Sequence, residues 1–370
     1  MIKILHLTTD SKIAGAEKLL IGIAKEFDRK KFEIYFCTIK ERGDLQNELE
    51  KLGQEALSLD CSSFAQLPTA YLKLSNIVKK YKINILHTHL YHASIIGQEV
   101  AHSQKNVVGI ITRHYSDLLY IYGSAMQRKL DRKASSRAKN IIAISNGVKK
   151  VLVEQDKIDE KKITVIHNGI DFNEFRIKDN SIDIRKDLLL DKETKIIGAI
   201  GSLHPRKGHR YLIEAADILC RKIFNIKFII AGEGVLEKEL VDLRDAFGLE
   251  DKIIFTGFRK DVVDVIQAMD VIVQPSIEEG FGLSIIEAMS LGKPVIASCV
   301  GGIPEIIDDK KTGILVQSKN PIALAEAIEF FLNNKKEADL ICKTAQEKVR
   351  RKFDLIKMIR RYEELYESCF

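Results

Sequence analysis

Short apolar runs rich in β-branched residues alternate with helix-period segments along the whole chain. This rhythm constrains the fold more than any other feature. KILHL (3–7), EIYFCTI (33–39), INILHTH (83–89), VVGIIT (107–112), NIIAIS (140–145) and ITVIH (163–167) read as strands. The pattern resumes with KIIGAIGS (195–202), KFIIAG (227–232), KIIFTG (252–257), VIVQPS (271–276), PVIASC (294–299) and GILVQ (313–317). Helical segments such as EKLLIGIAKEF (17–27), HRYLIEAADILCRK (209–222) and LEKELVDLRDAF (236–247) lie between them. Strands apolar on both faces need helices on both sides, the mark of parallel sheets. Two sets of six strands predict an α/β chain of two Rossmann-like units, residues 1–175 and 176–353. The polar stretch from Ile170 to Glu193 marks the break. The helical tail, 354–370, is long enough to return to the first unit.

Several classes are excluded. No apolar stretch approaches the ~20 residues that cross a bilayer. The opening MIKILHLTTD reads as a strand and not as a secretory signal. Six cysteines without a CxxC pair are expected as free thiols in a reducing cytosol. The net charge of +6 is unevenly placed: residues 1–175 hold 27 Lys+Arg against 20 Asp+Glu, and residues 176–370 hold 31 against 32. Between 120 and 150, Arg128, Lys129, Arg132, Lys133, Arg137, Lys139, Lys149 and Lys150 face a single acid, Asp131. Such a face attracts anionic lipid or a phosphorylated substrate, or is simply a solvated helix face. No interleaved aromatics accompany it, so nucleic acid is not an expected partner.

In parallel sheets ligands sit at the carboxyl ends of strands, near helix N-termini, so chemistry is sought in the loops. The segment QPSIEEGFGLSIIEAMSLGKPVIAS (274–298) runs from a strand through a glycine loop into a helix starting near Gly282 or Leu283. The free N–H groups of that first turn form a ready diphosphate site. Glu279 in the loop can accept from sugar hydroxyls, and Glu287 in the helix can bind a ribose diol. AGEG (231–234) imitates a dinucleotide fingerprint, but Glu237 stands where the third glycine belongs.

Glu279-Gly280-Phe281-Gly282 with Glu287 resembles the E-x7-E signature of the family 4 retaining glycosyltransferases with the GT-B fold. Further motifs follow in the family's order: NGID (168–171), RKG (206–208), AGEG (231–234), TGF (256–258), GG-x-P-E (301–305) and TG-x-L (312–315). The resemblance implies two parallel sheets facing an interdomain cleft, an acceptor-binding N-terminal domain and a nucleotide-sugar-binding C-terminal domain. It implies that Glu279 lies beside the donor sugar, Glu287 on the ribose and Lys207 on the diphosphate. Gly280, Gly282 and Leu283, with Phe281, belong to the donor loop; Gly232 and Gly234 approach base and ribose, and Phe258 borders the base. His114 matches the family's histidine on the donor sugar. Gly15 keeps one glycine of the double-glycine loop, the other being Ala14. The usual arginine of the second domain is Ser202 here, and Arg206 is the expected substitute.

The implied activity is retaining transfer of a hexosyl or N-acetylhexosaminyl group from a UDP- or GDP-linked sugar to a hydroxyl of a glycan or lipid-linked acceptor. Neither a metal nor another cofactor is expected. The histidines of HTHLYH (87–92) are expected to pack or to face acceptor, although His87 and His89 share a strand face. The setting is polysaccharide, lipopolysaccharide or glycolipid biosynthesis in the cytoplasm, with Arg128, Lys129, Arg132 and Lys133 toward an anionic membrane or the acceptor. A sugar-nucleotide epimerase of the same architecture and a non-catalytic nucleotide-sugar-binding subunit are the alternatives.

Overall fold

The computed structural model describes residues 1–63, 66–176 and 182–370; the expected break at 170–193 therefore lies partly outside them. The chain divides into two compact units, Met1–Gly169 with Leu355–Phe370, and Ile170–Asp354. Residues 170–175, expected with the first unit, go with the second. Ile170 bridges to Asp354 and its N–H bonds the Phe353 carbonyl at 3.0 Å, while Phe172 and Phe175 are buried.

The first unit holds seven parallel strands: β1 (Ile2–Thr8), β2 (Phe32–Thr38), β3 (Ala56–Ser58), β4 (Ile85–His89), β5 (Val108–Arg113), β6 (Asn140–Ala143) and β7 (Ile163–Val165). Their order is β3-β2-β1-β4-β5-β6-β7. The second unit holds β8 (Lys195–Ile200), β9 (Ile226–Ala231), β10 (Ile253–Gly257), β11 (Val271–Gln274), β12 (Val295–Ser298) and β13 (Ile314–Val316), in the order β10-β9-β8-β11-β12-β13. The central strands are buried on both faces, as their continuous apolar runs require. Six strands were expected in the first sheet. The seventh, β3, is three residues long at the sheet edge with only Ala56 buried, too short to carry an apolar pattern.

In each sheet the order reverses beside the first strand, between β1 and β4 and between β8 and β11. These switch points open crevices at the strands' carboxyl ends, where ligands of such folds bind.

The C-terminal helix Leu355–Glu367 belongs to the first unit's core. Leu355, Met358, Ile359, Tyr362, Leu365 and Tyr366 pack with Ile4, Ile23, Phe27 and Phe32. Gly22, on helix Gly15–Glu26, admits this helix: a Cβ there would meet Leu355 Cδ1 at 2.7 Å. All six cysteines are free.

Candidate active site

The second sheet's switch point is built by two interlocked loops, one after β8 and one after β11. After β8 the chain makes a single turn at Pro205–Lys207 and enters helix His209–Cys220. Gly208 between them has φ +66°, and a Cβ would lie 2.1 Å from the Pro275 carbonyl oxygen. Only glycine suits both demands. The N–H groups of Ile277 and Glu278 both donate to the Arg206 carbonyl, at 2.8 and 3.2 Å.

This lock aligns two ion pairs. Lys207 Nζ lies 2.6 Å from Glu279 Oε2, and Arg206 lies 3.5 Å from Glu278, whose side chain is fully buried. Ser276 Oγ and Gln274 Nε2 also reach Glu279 Oε2, each at 3.4 Å. Burial raises the Glu279 pKa, but the charges of Lys207 and then Arg206 more than offset it and hold the carboxyl below its ordinary range. Arg206, expected to replace the arginine missing at Ser202, is thus already countered by Glu278. Ser202 is exposed, and its carbonyl lies 3.3 Å from His209 Nε2.

Neighbouring strand ends join by backbone approach. A Cβ on Gly232 would strike the Gly201 carbonyl oxygen at 2.0 Å, and one on Gly234 the Leu203 carbonyl oxygen at 2.4 Å. Glu233 Oε1 accepts from the Phe258 N–H at 3.2 Å, and Phe258, just past the end of β10, is 59% exposed. Ser202, Gly232, Gly234 and Phe258 therefore follow three adjacent strands on one sheet end.

Helix Leu283–Ser290 begins after Gly282, whose φ of +114° disfavours any side chain. The Glu279 carbonyl accepts from the Gly302 N–H at 3.1 Å, tying the loop after β12 to this one. Glu287 is buried in the helix's second turn. Phe281 is buried, 2% exposed, and its ring packs edge-on against Phe353 at 5.3 Å, so its side chain anchors the loop.

At the first sheet's switch point, Gly15 opens helix Gly15–Glu26 after Ala14. Ala14 has φ −129°, an extended conformation alanine adopts without strain, so losing the first glycine leaves the turn intact. Glu17 was not foreseen. It is buried in the helix's first turn, accepts from Thr8 Oγ1 (3.0 Å) and the Ala14 N–H (3.2 Å), and has its pKa raised by burial. The acid three residues beyond Ala14 in GAEK was the available signal.

His114 follows β5 and is bonded to His89, which is bonded to His6. His87 meets the Tyr366 hydroxyl and Thr112 Oγ1 (2.7 Å). His6, His87 and His89 each bring a nitrogen within 4.8 Å of the others, a spacing that a metal ion could use. Five of their six nitrogens are committed to hydrogen bonds, and His6 Nε2 alone is unpartnered. His87 and His89 are fully buried. His92, in contrast, lies on helix Tyr91–Ser103 beside Tyr91.

The basic segment forms helix Ala125–Arg137, and its face is less free than the sequence implied. Arg128 donates to the Leu119 and Gly123 carbonyls, and Arg132 reaches Tyr120 Oη (3.0 Å) and Asp156 (3.7 Å). Lys133 lies 3.7 Å from Glu99. Among the described residues, Lys129 is left without an ion pair. Ala125, Arg128, Lys129 and Arg132 line a surface pocket of about 330 Å³, and Met126 beside it is 62% exposed.

Residues 13–174 match the model of Glycosyltransferase Family 4, and residues 180–348 match that of Glycosyl transferases group 1. The chain belongs to the family 4 glycosyltransferases. This glycosyltransferase is 25% identical to the Anabaena protein HepE, solved with UDP and glucose and with UDP-glucose; the match covers 100% of both chains with a TM-score of 0.89. It is 24% identical to the Escherichia coli UDP-Gal:alpha-D-GlcNAc-diphosphoundecaprenol alpha-1,3-galactosyltransferase, over 99% of this chain and 96% of that one. It is 26% identical to the Staphylococcus aureus capsular polysaccharide biosynthesis glycosyltransferase CapM, over 99% and 97%. Its two parallel α/β units are those of the GT-B fold. These relatives lend nothing to the epimerase reading.

Proposed function

We propose that this glycosyltransferase moves a hexosyl or N-acetylhexosaminyl group from a nucleoside diphosphate sugar to a hydroxyl of a glycan or lipid-linked acceptor, with retention and without a metal ion. The observation that carries this is the Lys207–Glu279 pair at the second sheet's switch point, 2.6 Å apart. A diphosphate needs positive charge; Lys207 and the N–H groups opening helix Leu283–Ser290 supply it. As the donor binds, phosphate competes for Lys207 and Glu279 turns to the sugar hydroxyls. In the transfer step the acceptor oxygen bonds to the anomeric carbon as the carbon–phosphate oxygen bond breaks. The acceptor proton passes to the departing phosphate. Lys207 stabilises the charge that grows there.

UDP is favoured over GDP by the HepE complexes. A lipid-linked acceptor and a polysaccharide, lipopolysaccharide or glycolipid product are favoured by the E. coli galactosyltransferase and by CapM. In this reading the N-terminal unit binds acceptor and the C-terminal unit binds donor.

Kinetics of two variants test the division of labour. Glu287→Ala is expected to weaken donor and nucleotide binding with kcat nearly kept, because ribose changes little during reaction. Glu279→Gln is expected to lower kcat more than it raises donor KM, because charge and shape change at the sugar. A Glu279→Gln enzyme altered only in KM would contradict that assignment. Unchanged kinetics in both would favour a different site.

Among the described residues no helix is long and apolar enough to cross a membrane. We propose peripheral contact with the cytoplasmic face through helix Ala125–Arg137. Since Arg128 and Arg132 also hold local structure, replacing Lys129 and Lys133 by glutamine is the cleaner test. Cosedimentation with anionic vesicles should weaken by about 1 kcal/mol per lysine. Unchanged sedimentation would leave a solvated face.

A further inference from the structure

Three imidazoles run in single file from the first sheet's core to the end of β5. His6 Nδ1 lies 3.0 Å from His89 Nε2, and His89 Nδ1 lies 3.1 Å from His114 Nε2. His6 and His89 are fully buried, whereas His114 keeps partial exposure. At the inner end His6 stacks on Phe36 at 5.5 Å, and its Nε2 is buried with no hydrogen-bond partner. The three groups arrive from β1, β4 and the loop after β5, so only the sheet order brings them together.

A neutral imidazole has one N–H donor and one lone-pair acceptor, so a chain of them runs in one of two directions. Running outward, His6 donates from Nδ1 to His89, His89 donates from Nδ1 to His114, and the orphan at His6 Nε2 is a lone pair. Running inward, His114 donates from Nε2, His89 donates from Nε2, and the orphan is an N–H. Buried N–H groups without an acceptor are rarer and costlier than under-used acceptors. The sealed inner end therefore sets the direction. Burial also keeps the chain neutral: it lowers His6 and His114 to about 3 and holds His89 well below 6.5. Arg113, beside His114, is bonded to Asp131, Tyr115 and Ser135, and its charge further opposes a proton on His114.

We propose that His6 and His89 lock His114 in the Nδ1–H tautomer, making it a fixed hydrogen-bond donor toward an acceptor oxygen of a bound sugar or phosphate. The ligand contact rests on the reading of His114 as a donor-sugar residue; the tautomer does not. His6 and His89 are positioning residues. His114 has its only lone pair on Nε2, spent on His89, so it cannot act as a general base. An isolated imidazole in water prefers the Nε2–H form, so the chain reverses the ordinary choice.

The test is two-bond 1H–15N spectroscopy on the ligand-free full-length protein labelled with 15N-histidine, with His114 assigned by the signals lost in His114→Gln. The expected result is an Nδ1–H pattern at His114, unchanged from about pH 6.5 to 8, as the chain's neutrality requires. An Nε2–H pattern, or an imidazolium titrating in that range, would overturn the proposal. His89→Gln, whose amide can present either a donor or an acceptor, should convert His114 to a mixture of tautomers. A pure Nδ1–H signal in that variant would also overturn it. The spectra need no substrate, so failure here leaves the glycosyl-transfer reading untouched, and an inactive enzyme with the Nδ1–H signature would sink only that reading.

Discussion

Replacing Lys207 by alanine is expected to reduce kcat/KM by ~10²–10³, the scale of losing one preorganised electrostatic stabiliser. The variant removes two things at once. The departing diphosphate loses the ammonium group that offsets its growing charge, and Glu279 is left buried beside that diphosphate without its partner at 2.6 Å. Two negative groups then share one crevice, so donor affinity falls as well as kcat. Lys207→Arg separates these effects, since it keeps the charge but not the compact ammonium geometry, and it should recover binding better than turnover. Because Arg206 is held by buried Glu278, it is not expected to take over. Steady-state rates on one donor, with each variant's melting temperature as control, decide the matter. A folded Lys207→Ala enzyme with near-normal kcat/KM would remove Lys207 from the mechanism.

Mild acid is expected to unfold the N-terminal unit. His6, His87, His89 and His114 are all held neutral by burial, with pKa values below the ordinary 6.5; His6 and His114 fall to about 3. The unfolded chain takes up these protons as pH falls through 6.5, while the folded chain does not. Stability from this source is complete above that value and is lost as pH drops toward 3. Each such group contributes more than ~1 kcal/mol per pH unit, so four together approach ~5 kcal/mol per unit, comparable to the whole stability of many domains. Urea unfolding followed by circular dichroism at neutral pH and about one and two units lower measures this directly. A midpoint unchanged over that range would show that these imidazoles are not held neutral.

The strands were legible because each is a continuous apolar run in a doubly covered sheet, and the candidate donor loops because glycine, lysine and glutamate sit at the ends of such runs. Edge strand β3 was not, since ALS is too short to show a period. Pairings across strands were also out of reach. Lys207 and Glu279 are 72 positions apart, and His6 and His89 are 83 apart. Alternation placed His87 and His89 on one face, but only the parallel register that sets His6 opposite His87 shows that a third imidazole joins them. The packing of the Phe281 ring on Phe353, 72 positions on, is likewise not legible in the motif that contains it. Arg206 reads from sequence as a charge in the same loop as Ser202, and the buried Glu278 carboxylate 3.5 Å from it lies in a different loop.

Donor turnover by the purified protein, with and without EDTA, tests the central claim most directly. Nucleoside diphosphate release is measured across a panel of UDP- and GDP-sugars with a lipid-diphosphate glycan acceptor, for the native chain and Lys207→Ala. The expected result is acceptor-dependent release from at least one donor, untouched by EDTA and nearly lost in Lys207→Ala. Activity abolished by EDTA and restored by a divalent ion, or no release from any donor despite nucleotide-sugar binding, would contradict it.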